Sequence, residues 1–157
     1  MKTNAARILD GQGIRYEIRS YEVDEKDLGA AHVAASIGMP LAQVFKTLVV
    51  KGDRTGIMLV CLPGEGELDL KALAAASGNK KADLVPLKDV QPLTGYVRGG
   101  VSPMGAKKKY PVFLDNSAAS WPVISISAGA RGYQIILSPC DLSRVVAAQM
   151  GYFTMRL

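Results

Sequence analysis

Apolar residues recur along this chain in short runs, some with the period of two that marks a strand and some with the spacing of a helix face. Residues 3–9 read as a helix capped by Thr3 or Asn4 and stopped at Gly11 or Gly13. Residues 15–21 alternate, with Tyr16, Ile18 and Tyr21 on the apolar side, and predict a strand. An acidic stretch over 22–27 leads to an alanine-rich helix over 30–37, closed by Gly38, and Pro40 opens a helical turn. Residues 44–51 and 57–61 are β-rich and flank a Gly-Asp-Arg-Thr-Gly turn, which predicts a hairpin. A loop over 63–67 precedes a helix over 69–77 that ends at Gly78.

The second half continues in short pieces. Residues 83–85 are extended, and 87–90 form a helical turn ending near Pro92. Tyr96 and Val97 read as a strand, and 99–105 as a glycine-rich loop. Strands are expected over 111–114, 123–127 and 133–137. Ser138, Pro139 and Asp141 have the order of a cap, a first helical position and an acid, predicting a helix to about Met150 with Gly151 as its stop. Short strands mixed with short helices argue an α+β fold rather than a regular βαβ wind. Neither a repeat nor a linker interrupts the pattern, so residues 1–157 read as a single domain.

Composition narrows the chemistry. There is one histidine, and two cysteines, Cys61 and Cys140, lie far apart in sequence. Two cysteines make no disulfide framework, and with His32 they make a poor zinc set, so no metal or other cofactor is expected. No apolar run reaches membrane-spanning length and residues 1–4 lack a signal peptide's apolar stretch, so a cytoplasmic protein with no membrane contact is expected. Charge is divided unevenly. Residues 1–78 hold 9 Lys/Arg against 10 Asp/Glu, while 79–157 hold 10 against 4, so the net +5 comes from the C-terminal half. That half carries Lys107, Lys108 and Lys109 together, which fits either a solvated loop or a footprint for nucleic acid. Ten aromatic side chains are too few for an extended base-stacking platform.

Lys46 is the leading candidate for chemistry. Alternation places it on one strand face with Val44, Leu48 and Val50. There its amine either snorkels to water or loses solvation and becomes a base, a nucleophile or a fixed cation. The Gly99–Gly100 pair opens a loop that is either a plain tight turn or a backbone cradle for a phosphate or oxyanion. It lacks both the Walker pattern and the dinucleotide fingerprint. Ser127 precedes a second glycine turn at Gly129, where its hydroxyl either meets local backbone or a ligand. A serine nucleophile would need His32 as its base, and a surface histidine is the competing reading. Tyr21 reads as a strand-edge anchor and Asp69 as a helix cap.

Four segments, over 43–48, 67–71, 94–108 and 127–132, occur in an order that resembles the YbaK family of free-standing aminoacyl-tRNA deacylases, related to the editing domain of bacterial prolyl-tRNA synthetases. The likeness runs over nearly the whole chain. It implies a mixed, barrel-like β-sheet flanked by short helices. It also implies hydrolytic clearance of mischarged tRNA, typically Cys-tRNA(Pro) and often Cys-tRNA(Cys), with tRNA(Pro) as the partner nucleic acid. Prolyl-tRNA synthetase stays open as a protein partner. Lys46 corresponds to the family's essential lysine, and the backbone of Gly99 and Gly100 to the loop that holds the aminoacyl carbonyl. Tyr21 and Ser127 line up with pocket residues, and Thr47, Ser102 and Gly129 join them as substrate-binding candidates. Arg98 and Lys107–Lys109 are the implied tRNA contacts. Gln134 departs from the family pattern, which usually has an aspartate there, so a neutral amide replaces a charge able to pair with the substrate ammonium.

The implied reaction suits a chain with one histidine. In it the thiol of the substrate cysteine attacks its own ester carbonyl, and the protein contributes positioning and oxyanion stabilisation. Two alternatives stay open: a deacylase for another small residue such as alanine, and a non-catalytic tRNA- or synthetase-binding module.

Overall fold

The structure is a computed structural model that describes residues 2–155. Residues 1, 156 and 157, which the single-domain reading includes, lie outside the described part. Helix α1 (Asn4–Gly11) starts at Thr3, whose hydroxyl accepts from the Ala6 N–H. Such a cap is worth about 1 kcal/mol. Strand β1 (Glu17–Ser20) is followed by helix α2 (Ala30–Ile37), then by the hairpin of β2 (Phe45–Gly52) and β3 (Gly56–Pro63). Helix α3 (Leu70–Ser77) is capped by Asp69, which accepts from the Ala72 N–H. Then come β4 (Ala82–Leu84), α4 (Leu87–Thr94), β5 (Val112–Asp115), β6 (Ile124–Ser127), β7 (Tyr133–Leu137), α5 (Pro139–Val146) and β8 (Gln149–Gly151).

The strands form two sheets. The larger has the order β4-β2-β3-β5-β8, the smaller β1-β7-β6. β5 runs parallel to both β3 and β8, and the remaining pairings are antiparallel. The expected α+β class holds. The barrel-like sheet takes the form of two open sheets joined by one parallel bridge, Val44 to Ser125, and is not a closed barrel. Phe45, Val49, Leu59, Cys61 and Leu114 of the large sheet share a core with Ile124, Ile126, Ile135 and Leu137 of the small one. On the other face of the large sheet, Val50, Met58, Val60 and Leu62 pack with Leu73 of α3 and with Phe153. Strands of a sheet covered on both faces lose the alternation of apolar and polar positions, which is why β3 reads as an unbroken apolar run.

One side chain closes the hairpin. Asn79 Oδ1 accepts from the N–H groups of Arg54 and Thr55 at 2.8 and 2.9 Å, and Nδ2 donates to Thr55 Oγ1 and Ser77 Oγ at 2.8 and 2.7 Å. A Cβ on Gly52 would lie 2.2 Å from Asn79 Nδ2, so glycine is required where the amide approaches.

Three expected elements differ. Tyr96 and Val97 are not a strand: after Gly95 the chain folds back, Tyr96 N–H donates to Thr94 Oγ1, and the Tyr96 hydroxyl donates to the Met104 carbonyl at 2.6 Å. The last helix stops at Val146, four residues early, because Ala147 turns into the left-handed region and residues 149–151 join β5 as a parallel edge strand. Helix α4 passes through Pro92 to Thr94. The carbonyl of Lys88 thereby loses its partner, and Lys88 is exposed to water. Among the described residues no helix is long and apolar enough to cross a membrane.

The two thiols should differ sharply. Cys61 is fully buried in the shared core and desolvation pushes its thiol up to about 12, whereas Cys140 is exposed. A disulfide reagent should therefore titrate one thiol in the native protein and two after unfolding, and Cys140→Ser should leave no native reactivity. Two reactive thiols in the native wild type would contradict the packing of β3.

Candidate active site

β4 covers only Val50–Gly52 of β2, and the sheet-joining bridge is at Val44. Residues 45–48 therefore keep one open edge, with backbone groups available to a ligand. This edge borders a cleft of about 610 Å³, within the range of small-molecule sites. The start of α2 at Gly29 and Ala30, the segment from Leu84 to Leu87, the loop at Arg98 and Gly99, and the strand ends at Ser127 and Gln134 complete its walls. Its wall is mostly apolar, and among the described residues its charged members are Lys46 and Arg98, with no carboxylate.

Lys46 lies opposite Leu62 in the hairpin register, so the chain leaving β3 passes beside it. Its Nζ donates to the Gly64 carbonyl at 3.2 Å. Partial burial lowers its pKa below the ordinary 10.5, and the charges of Glu67 and Glu65 pull weakly the other way. The lysine thus neither snorkels freely nor sits in a full ion pair. Sequence reasoning missed the 64–67 loop as its partner, although the hairpin register already places that loop next to residue 46.

The structure brings six of the expected residues to one cleft: Lys46, Thr47, Arg98, Gly99, Ser127 and Gln134. Thr47 faces the core side, its hydroxyl 3.6 Å from Cys61 Sγ. The glycine loop is anchored to the second glycine turn, since Arg131 Nε donates to the Arg98 carbonyl at 2.7 Å. Gly99 has φ +83°, and its N–H has no partner among the described residues. The Gly100 N–H is occupied, donating to the Val97 carbonyl at 2.9 Å. Of the two glycines, only Gly99 offers a free backbone donor.

The other candidates lie elsewhere. Tyr21 packs beside α2 and meets His32 edge-on at 6.3 Å. The His32 ring is 3.2 Å from the Glu22 carbonyl, and its imidazole has no serine partner among the described residues. Ser102 is fully buried and accepts from the Met104 N–H. Gly129 makes room for Tyr96, whose ring a Cβ would meet at 2.9 Å. Lys108 and Lys109 border a separate cavity of about 250 Å³ with Ile8, Met104 and Val145, and Lys107 lines neither cavity. Leu84 and Leu87, exposed at 54% and 63% on the cleft rim, were not anticipated, because isolated surface leucines carry no signal until the fold aligns them.

Residues 26–145 match the aminoacyl-tRNA editing domain family. The chain belongs to that family. EbsC of Enterococcus faecalis, provisionally named a Cys-tRNA(Pro)/Cys-tRNA(Cys) deacylase, is 42% identical over 153 residues, covering 98% of this chain and 93% of EbsC. The Multifunctional Ser/Thr-tRNA deacylase ProXp-y of Escherichia coli K12 is 26% identical over 151 residues, covering 93% and 88%. A crystal structure described as a trans-editing enzyme for prolyl-tRNA synthetase superposes with a TM-score of 0.84 at 23% identity, covering 99% of this chain and all of that one, which shows a shared fold.

Gly99→Ala should lower stability by about 1–2 kcal/mol in urea unfolding. The strain comes from its positive φ, since the nearest atoms to a new Cβ, on Leu28, are 3.4 Å away. An unchanged midpoint would show that the loop adopts another conformation.

Proposed function

We propose that this editing domain deacylates mischarged Cys-tRNA(Pro), and also Cys-tRNA(Cys), in the cytoplasm. The observation that carries the reading is Lys46, held half-buried at a cleft whose other charged residue is Arg98 and whose wall has no carboxylate. Two cations in a lining without a carboxylate suit a nucleic-acid 3′ end, whose phosphate contributes the negative charge. The similarity to EbsC supports cysteine as the acyl group and tRNA(Pro) as the carrier. Prolyl-tRNA synthetase is then the source of the mischarged substrate and the natural protein partner.

The reaction needs little from the protein. The substrate thiolate attacks its own ester carbonyl, a carbon–sulfur bond forms, and the bond to the ribose oxygen breaks. The thiol proton ends on the ribose hydroxyl, and water later opens the cyclic thioester. The free Gly99 N–H donates to the carbonyl oxygen as negative charge builds there, an interaction of the oxyanion-hole type. Lys46 keeps donors beyond its bond to Gly64 and uses them to hold the terminal phosphate and orient the ester. Ser127 and Thr47 shape the pocket, and Arg98 guides the tRNA end. A second reading, clearance of another small residue, is favoured by the similarity to ProXp-y and by the neutral Gln134 in the cleft.

Lys46→Met should lower deacylation of Cys-tRNA(Pro) by about 100-fold or more while leaving the thermal midpoint unchanged or raised, because a desolvated amine contributes little to folding. Full activity in this variant would remove Lys46 from the site. Ala-, Ser- and Cys-tRNA(Pro) run side by side separate the two readings: cysteine should react fastest by at least tenfold, and equal rates would point to attack by water. The pH profile should be bell-shaped after subtraction of spontaneous hydrolysis. It should rise as the substrate thiol ionises near about 8.5. It should fall before the ordinary lysine value of 10.5, because Lys46 loses its proton early. In Lys46→Arg the falling limb should vanish.

A further inference from the structure

Gln134 stands on β7 beside the cleft and is 4% exposed. Its Oε1 accepts from Ser125 Oγ at 2.7 Å, and Ser125 is itself fully buried. The carbonyl end of the amide is thereby occupied. Nε2 has no hydrogen-bond partner among the described residues, yet it is not sealed in: Thr154 Oγ1 is the one side-chain atom there that is both fully enclosed and unpartnered. Because Gln134 lines the cleft, the amide nitrogen keeps free donor capacity there. Ser127, directly across the strand pair from Gln134, accepts from the Gly129 N–H at 3.1 Å, which leaves its own proton free to donate. Together with Lys46, Arg98 and the Gly99 N–H, these groups make the polar wall rich in donors and, among the described residues, without a carboxylate, Glu65 and Glu67 acting on Lys46 from outside it.

An α-ammonium brings three more donors and a positive charge. It would find no countercharge in this wall and would meet two cations, whereas the carbonyl and ribose oxygens of an ester are acceptors suited to it. We propose that Gln134 is a specificity-determining residue that binds the ester through an acceptor oxygen, and that the cleft does not read the α-ammonium. Esters of tRNA with small acyl groups lacking that charge, such as deamino or α-hydroxy acyl groups, are then ligands and substrates as well. This rests on the deacylase reading and narrows what the site recognises. Ser125 acts as a positioning residue, fixing which end of the amide faces the ligand.

The test compares two acceptor minihelices of tRNA(Pro) carrying a stable 3′-amide to cysteine or to 3-mercaptopropionate, which keeps the thiol and lacks the ammonium. Binding is measured at pH 6, where an α-amine with an ordinary pKa of about 7.7–8.0 is protonated. The wild type should bind the two within threefold. Gln134→Glu accepts from Ser125 with one oxygen and offers the other to the cleft, so it should favour the cysteinyl ligand by tenfold or more. A wild-type preference of tenfold or more for the cysteinyl ligand would overturn the proposal, and this comparison decides the matter even if the variant does not fold. Turnover of Cys-tRNA(Pro) is followed in parallel. Equal binding without turnover supports the donor wall and overturns the deacylase reading, while binding of neither ligand overturns both.

Discussion

The register of the β2–β3 hairpin governs the positions of nearly everything at the cleft. Pairing runs from Gly52 opposite Gly56 to Phe45 opposite Pro63, and the Asn79 amide seals the turn over a glycine that has no room for a side chain. Because successive side chains alternate, a slip of one residue would exchange the faces of Lys46 and Phe45. The same hairpin receives β4 on one side and β5 on the other, so its register also sets where the second half of the chain begins to pack. The short reach of β4 leaves the open edge at residues 45–48, and that edge becomes a wall of the cleft.

Lys46 shows how the site departs from what stability alone would select. Methionine or leucine would suit its neighbours Leu48 and Leu62 better than an amine that loses part of its hydration. The 64–67 loop compensates in part, with a carbonyl at hydrogen-bond distance and two glutamates whose charges oppose the shift. The amine is thus partly desolvated and incompletely satisfied, the kind of environment found at functional sites. The donors at Gly99 and Gln134 follow the same logic, each held by structure on one side and open on the other. Among the described residues this wall holds no histidine and no cysteine: His32 lies outside it and Cys61 is locked in the core.

Much of the fold was legible from local patterns. The caps at Thr3, Asp69 and Ser138 behave as their side chains dictate, and the hairpin falls where the alternation and its glycine-flanked turn place it. Lys46 stood out for the same local reason, a charge within a β-rich run. Elements that depend on distant partners were misread. Residues 149–151 look like the end of a helix until β5 supplies a strand to pair with, and Tyr96 looks like a strand residue until the Met104 carbonyl claims its hydroxyl. The glycine pair drew attention, but nothing local reveals that one N–H is occupied and the other free.

The sequence by itself determined the α+β class, the hairpin, the helix starts and the residue types available for chemistry, because these follow from periodicity, capping and composition within a few residues. Only the tertiary structure decided which of those residues meet. It gathered Lys46, Thr47, Arg98, Gly99, Ser127 and Gln134 around one cleft, and it placed Lys108 and Lys109 at another cavity and Ser102 in the interior. It also fixed the carbonyl end of the Gln134 amide through a hydroxyl nine residues away on the neighbouring strand. Contacts of that kind depend on sheet register and the packing of whole layers, which no local pattern encodes.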